Sequence, residues 1–178
     1  MGYIKKNQGF TLVELLMGMT ILLIIMAAIA PLFSTLLSAT SSGLIKNNLL
    51  QEGRWAVDMM AKDMSSIDIN KITSPAIPTS TTATTASTLS FTPFNSTTII
   101  TYSIVNNEVC RQVDTGIKRP LTDANRASAA SNALVFTRNT DGISIDIQLT
   151  LTKADNKARI LTEIIKTTIS PLNNGKDN

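Results

Sequence analysis

The stretch that decides the fold is Leu15–Leu37, LLMGMTILLIIMAAIAPLFSTLL, 23 consecutive residues without a charge. As an α-helix it is about 35 Å long at 1.5 Å per residue, enough to cross a hydrocarbon core of ~30 Å. The last charge before it is Glu14 and the next after it is Lys46. The run therefore reads as a membrane-spanning helix. A secretory signal cut after Ala28-Ile29-Ala30 is a competing account. Against it, the apolar run continues through Leu37, and Pro31 would follow the scissile bond, where its fixed φ and missing N–H disfavour the extended backbone a protease needs. A plain anchor explains the length of the run but leaves Glu14 and the residues before it unexplained.

A carboxylate at the head of a span is costly, by roughly 2.5–3.5 kcal/mol at the bilayer centre and less near the interface. Such a residue implies a partner. No basic residue lies within two helical turns on its C-terminal side, and Lys6 is the nearest on the other. A chain cut after Gly9 would carry a free amine at Phe10, and that amine, or the one of a neighbouring chain, can supply the counter-charge in a low-dielectric setting.

The segment Lys5-Lys6-Asn7-Gln8-Gly9-Phe10-Thr11-Leu12-Val13-Glu14 resembles the class III signal of type IV pilins and pseudopilins: a short basic leader ending in Gly, then Phe, three residues and Glu, leading into an apolar helix. The resemblance implies cleavage between Gly9 and Phe10 by a prepilin peptidase, N-methylation of Phe10, and pairing of Glu14 with the amine of an adjacent subunit. It also implies that Pro31 kinks the helix and that the Lys5/Lys6 leader stays cytoplasmic. The chain would then sit in the inner membrane as a single-pass protein with its exported part periplasmic or extracellular. Its partners would be the prepilin peptidase, other major and minor pilins through the N-terminal helix, and the assembly platform.

Beyond the span, Ile45, Leu49, Ala56, Met60 and Ile67 follow steps of 4, 7, 4 and 7, one apolar stripe. Lys46, Asn47, Glu52, Arg54, Lys62 and Asp63 occupy the other faces. The spacing predicts one helix from about Phe10 to Ile69, roughly 90 Å long, with Pro31, Gly43 and Gly53 as bend points and Trp55 and the methionines packed in the core. Arg54 and Asp58, four apart, are placed for a surface ion pair of ~0.3–0.5 kcal/mol. The Leu50–Met64 segment is similar to the Arg-aromatic-Ala region of W-class minor pilins, and more loosely to J-class pseudopilins of type II secretion.

Thr73–Ser90 holds eleven Ser or Thr in eighteen residues, with Pro75 and Pro78, and reads as a loop. After it the period becomes two. Ile100, Tyr102 and Ile104 alternate with Thr101 and Ser103, Asn106-Asn107 supply a hairpin turn, and Glu108–Val113 return. Ala133–Arg138 is a further strand. The clearest one follows Asp141-Gly142, with Ile143, Ile145, Ile147, Leu149 and Leu151 on one face and Ser144, Asp146, Gln148, Thr150 and Thr152 on the other. A turn at Ala154-Asp155-Asn156-Lys157 leads into a strand over Arg159–Ile169. The expected fold is α+β: a long N-terminal helix, part transmembrane and part exported, packed against a C-terminal antiparallel sheet. Its segments are leader 1–9, assembly helix 10–37, exported helix 38–70, Ser/Thr-rich loop 71–97 and sheet domain 98–178.

Composition weighs against an enzyme. The 178 residues are 43% hydrophobic but only 16% charged, against roughly 25% in a soluble domain. Histidine is absent, which removes the commonest general base and metal ligand. The lone Cys110 permits no internal disulfide and reads as a small buried hydrophobe. Of the net +3, two charges are Lys5 and Lys6; the remainder, 14 basic against 13 acidic, offers no stripe for nucleic acid. No phosphate-binding glycine loop or metal-ligand spacing occurs, and Asp123, Asp155 and Asp177 are scattered. The expectation is a non-enzymatic minor pilin without cofactor that initiates or caps a type IV pilus. A J-type pseudopilin of secretion or DNA uptake is the alternative within the family, and a membrane-anchored binding or adhesin module the alternative outside it.

Overall fold

The computed structural model describes residues 11–65, 67, 69–78, 82–93, 96–141 and 143–170. The chain divides into two units, Met1–Ser41 and Ser42–Asn178. Both draw on one helix, α1, Leu12–Met64. It ends five residues before the expected Ile69, at a turn that leads into a short 3₁₀ segment, Ile69–Lys71.

In the first unit every described large apolar side chain up to Leu36 is exposed, from 41% at Ile29 to 77% at Leu12. A helix apolar on all sides and unburied by its own chain belongs in lipid. Four of its hydroxyls bond back to the helix: Thr20 donates to the Met17 carbonyl at 2.8 Å, Thr35 to Pro31 at 2.9 Å, Ser38 to Ser34 at 2.9 Å and Thr40 to Leu36 at 2.9 Å. Such back-bonding removes the penalty of a bare hydroxyl in hydrocarbon.

In the second unit the stripe read from the sequence is the buried face. Leu49, Ala56, Met60 and Met64 are fully buried, with Gly53 and Val57 among them. Ile67 is buried and Ile45 half-buried beside them. Trp55 departs from expectation: it is 50% exposed and not a core residue. Gly53, expected as a bend point, is also a point of close contact. A Cβ there would lie 2.3 Å from Ile165 Cδ1 and 3.1 Å from Leu151 Cδ1. The glycine is a notch that lets strand side chains approach the helix, whereas Gly43 and Gly18 face open space.

Among the described residues nine strands follow: β1 Ile72–Ser74, β2 Thr84–Ala86, β3 Leu89–Phe91, β4 Ile100–Val105, β5 Glu108–Val113, β6 Arg119–Pro120, β7 Leu134–Arg138, β8 Ile145–Ala154 and β9 Ile160–Ile169. They form two antiparallel sheets where one was expected, in the orders β1-β3-β4-β5-β6 and β2-β7-β8-β9. The segment 71–97, expected as a loop, contributes β1, β2 and β3. The reason is tertiary: three-residue strands carry no period of their own and exist by pairing with β4 and β7. The hairpin at Asn106-Asn107 forms as read, both residues at positive φ (52° and 64°), the geometry of a two-residue type I′ turn.

On β8, Ile145, Ile147, Leu149 and Leu151 are fully buried and their polar neighbours half-buried. Register aligns them with Leu134, Phe136 and Arg138 on one side and with Ile169, Thr167, Ile165 and Glu163 on the other. Leu89, Phe91, Ile100 and Tyr102 line the inner face of the first sheet. Phe91 and Tyr102 stack there, ring centroids 6.2 Å apart. Cys110 is buried, and burial pushes its thiol up from the ordinary value.

Candidate functional site

Of the residues expected to act, Lys5, Lys6, Gly9 and Phe10 lie outside the described residues. Glu14 and Pro31 lie in α1. At the helix start, the Thr11 side-chain oxygen accepts from the Glu14 amide at 3.3 Å, and a Glu14 carboxylate oxygen accepts from the Thr11 amide and hydroxyl at 3.4 Å each. This reciprocal pair is a capping box, Thr-x-x-Glu. The Leu15 amide closes the first turn on the Thr11 carbonyl at 3.1 Å. The motif was legible in Thr11-Leu12-Val13-Glu14, but the sequence reading, looking for a distant counter-charge, passed over it. Glu14 thus satisfies backbone donors at the positive end of the helix. A carboxylate accepting only two long hydrogen bonds, both on one oxygen, keeps lone pairs free for a cation. Pro31 lacks an N–H, so the Ala27 carbonyl gets no bond from position 31.

The Ser42–Met64 part of α1 carries a second set of polar contacts, all to its own domain. Lys46 pairs with Glu163 at 3.0 Å, Glu52 with Arg126 at 3.0 Å and Asp63 with Arg111 at 2.8 Å. Asp63 also accepts from the Tyr102 hydroxyl at 2.6 Å. Burial, and then that hydrogen bond to a carboxylate, push the Tyr102 phenol well above its ordinary range. Near the start of the domain, Asp155 accepts from the amides of Lys157 and Arg159 at 2.8 and 2.9 Å, from the Arg159 guanidinium at 2.7 Å and from Ser42 at 3.4 Å. The backbone N–H of Arg159 foremost, with its guanidinium and the Lys157 amide, holds the Asp155 carboxyl at about 2. Arg54 and Asp58, the expected ion pair, are both exposed and make no salt bridge; the acidic residues of this half that do pair reach across to strands and loops. Sequence spacing along a helix cannot show those long-range partners. Among the described residues no three His, Cys, Asp or Glu side chains cluster as a metal site.

Residues 4–30 match the family model for the prokaryotic N-terminal methylation motif. The segment carries a prepilin-type signal. The matched residues span the basic leader, Gly9, Phe10, Glu14 and the apolar run to Ala30, so the motif and the exposed helix coincide. The motif supports a type IV pilin-like protein, and with the apolar helix it fits a membrane-anchored, single-pass chain. It also favours a structural over an enzymatic role. No curated protein and no solved structure matches the chain.

Proposed function

We propose that this chain is a minor pilin that initiates or caps assembly of a type IV pilus. The observation that carries the reading is the methylation motif at residues 4–30 running directly into a charge-free helix left bare by its own domain. A prepilin peptidase cuts between Gly9 and Phe10, where the glycine lets the enzyme approach the backbone closely. Phe10 is then N-methylated. The protein waits in the inner membrane, leader side cytoplasmic, until the assembly platform draws it into a stack of pilin helices. There Glu14 meets the N-terminal amine of an adjacent subunit, and Pro31 supplies the kink that lets the helix follow the stack. Arg54 and Trp55, exposed on the exported half of α1, support the likeness to W-class minor pilins, since a surface aromatic is available to other subunits.

Mass spectrometry of the membrane-purified chain tests the processing step: an N-methylated Phe10 at the start is expected, and an intact Met1 or a start at Pro31 overturns it. Abundance in sheared filaments tests minor status, which a dominant band contradicts; presence only with a secretion apparatus marks a pseudopilin instead. Glu14→Ala is expected to be processed normally but to enter filaments roughly 10–100-fold less. That range corresponds to one charge-assisted bond of ~1.5–3 kcal/mol. Normal filament numbers in that variant remove the pairing role.

A further inference from the structure

Strands β5 and β6 set Arg111 and Arg119 directly opposite each other. Like charges across a ladder repel, so the pairing weakens the sheet edge unless something neutralises it. The domain answers only half of it. Arg111 gives its Nε, at 2.8 Å, to an Asp63 oxygen that the Tyr102 hydroxyl shares, and a guanidinium carries more N–H donors than these contacts consume. Arg119 is exposed and makes no ion pair or side-chain hydrogen bond among the described residues. Lys118 adds a third positive charge beside it in sequence. Asp114, the acidic residue of the connecting loop, accepts from the Ile99 amide at 2.6 Å.

The two arginines line one cleft of about 300 Å³, at the lower end for small-ligand sites, and Val113, Gly116 and Ile117 complete its wall. The loop that closes it is held by its own bonds. The Gly116 amide donates to the Val113 carbonyl at 2.9 Å, and the Gly116 carbonyl accepts from Gln112 Nε2 at 3.1 Å. A Cβ at position 116 would lie 2.9 Å from that same Val113 oxygen, so this close return favours glycine. Ile117, 88% exposed, is the most exposed large apolar side chain of the described residues.

From this we propose that the Arg111–Arg119 cleft binds a phosphoryl group carried on an apolar body, as in an alkyl phosphate or a phosphatidic acid headgroup. A carboxylate has two oxygens, and a single arginine fork fills it; a phosphoryl group offers three, enough for two forks. Its charge turns the repulsion across the ladder into two attractions, and Val113 and Ile117 cover the adjoining carbons. Asp63 is a positioning residue, holding Arg111 by Nε and leaving the terminal nitrogens to the ligand. The proposal does not rest on the pilin reading.

The test is the Tm of the Ser42–Asn178 transition in the full chain, held in phosphatidylcholine nanodiscs, with n-butyl phosphate as probe against sodium chloride of equal ionic strength. A saturable rise is expected, roughly 4 °C at about ten times the dissociation constant. Inorganic phosphate, which has no carbons for Ile117 to cover, should bind about threefold weaker or less tightly still, and Ile117→Ser should level the two probes. Arg119→Gln should abolish the rise. Without probe the same variant should melt no lower than wild type, since the like-charge pair is gone, which separates lost binding from lost folding. Phosphatidic acid mixed into the nanodisc, with no free probe, distinguishes the sources: protection there marks a lipid headgroup, and protection by butyl phosphate without it marks a soluble ester. An equal rise in wild type and Arg119→Gln, no rise beyond that in chloride with either source, inorganic phosphate bound as tightly as the ester, or an Arg119→Gln chain that melts lower without probe each overturns the proposal.

Discussion

In the Leu12–Ser41 part of α1, Leu16, Ile24 and Phe33 are more than half exposed, whereas in the Ser42–Met64 part Leu49, Ala56, Met60 and Met64 expose nothing. The backbone is helical in both. The difference lies in what surrounds the side chains. Past Glu14, the first part is uncharged and apolar on every side, with several of its hydroxyls bonded back to the helix. The second gathers its buried apolar residues in a stripe and sends acidic and basic side chains to strands and loops. Its two glycines of interest repeat the contrast: Gly18 has nothing within 4 Å, and Gly53 has strand methyls where its Cβ would be. A helix made for lipid tolerates bulk anywhere; one made as a spine has fixed points of contact.

Gly53→Val puts the sharpest strain on that contrast. Overpacking against Ile165 and Leu151 is expected to cost about 2–3 kcal/mol, a Tm fall of roughly 10 °C for the Ser42–Asn178 domain by circular dichroism. Gly18→Val in the same assay should leave that transition unmoved, and equal effects would erase the distinction. Asp63→Ala comes next, because it strips Tyr102 and Arg111 of their shared acceptor. With the Asp63 and Arg111 side chains partly open to water, about 1–2 kcal/mol is expected by urea denaturation.

Asp155 gives a pH signature. Its carboxyl is held at about 2, below the ordinary 3.8, so the stabilisation it provides is fully present above pH ~4 and is lost as pH falls toward 2. Wild-type Tm should therefore drop across that window more than the Tm of Asp155→Asn; parallel curves would mean that the cluster at Ser42 is not coupled to folding. The smallest effects are expected for Arg54→Ala and Asp58→Ala. Each should stay within about 0.5 kcal/mol, since neither makes an ion pair in the domain. A larger loss of stability from either would show that the exposed side of α1 bears on the fold.

Much of this was readable in advance because the signals were local. The span, the Leu49–Met60 stripe, the Asn106-Asn107 hairpin and the alternation of β8 all rest on periods that short windows of sequence display. Trp55 was misread because a large aromatic at a helical position is usually core, and only the actual packing shows that the domain leaves it half exposed. The close contact at Gly53 was not read in advance, because a glycine's lack of a side chain serves hinges and close contacts equally. The Thr11–Glu14 cap was local too, and was overlooked rather than hidden.

By itself, the sequence determined where the membrane helix lies, which motif precedes it and which residues of each element turn inward, since those follow from hydrophobic period and covalent chemistry. The tertiary structure alone decided that the strands split into two sheets and that Asp63, Tyr102 and Arg111 meet across 39 and 48 residues. Those outcomes depend on which distant segments pair, and the free energy of such pairing belongs to both partners jointly and is written in neither one.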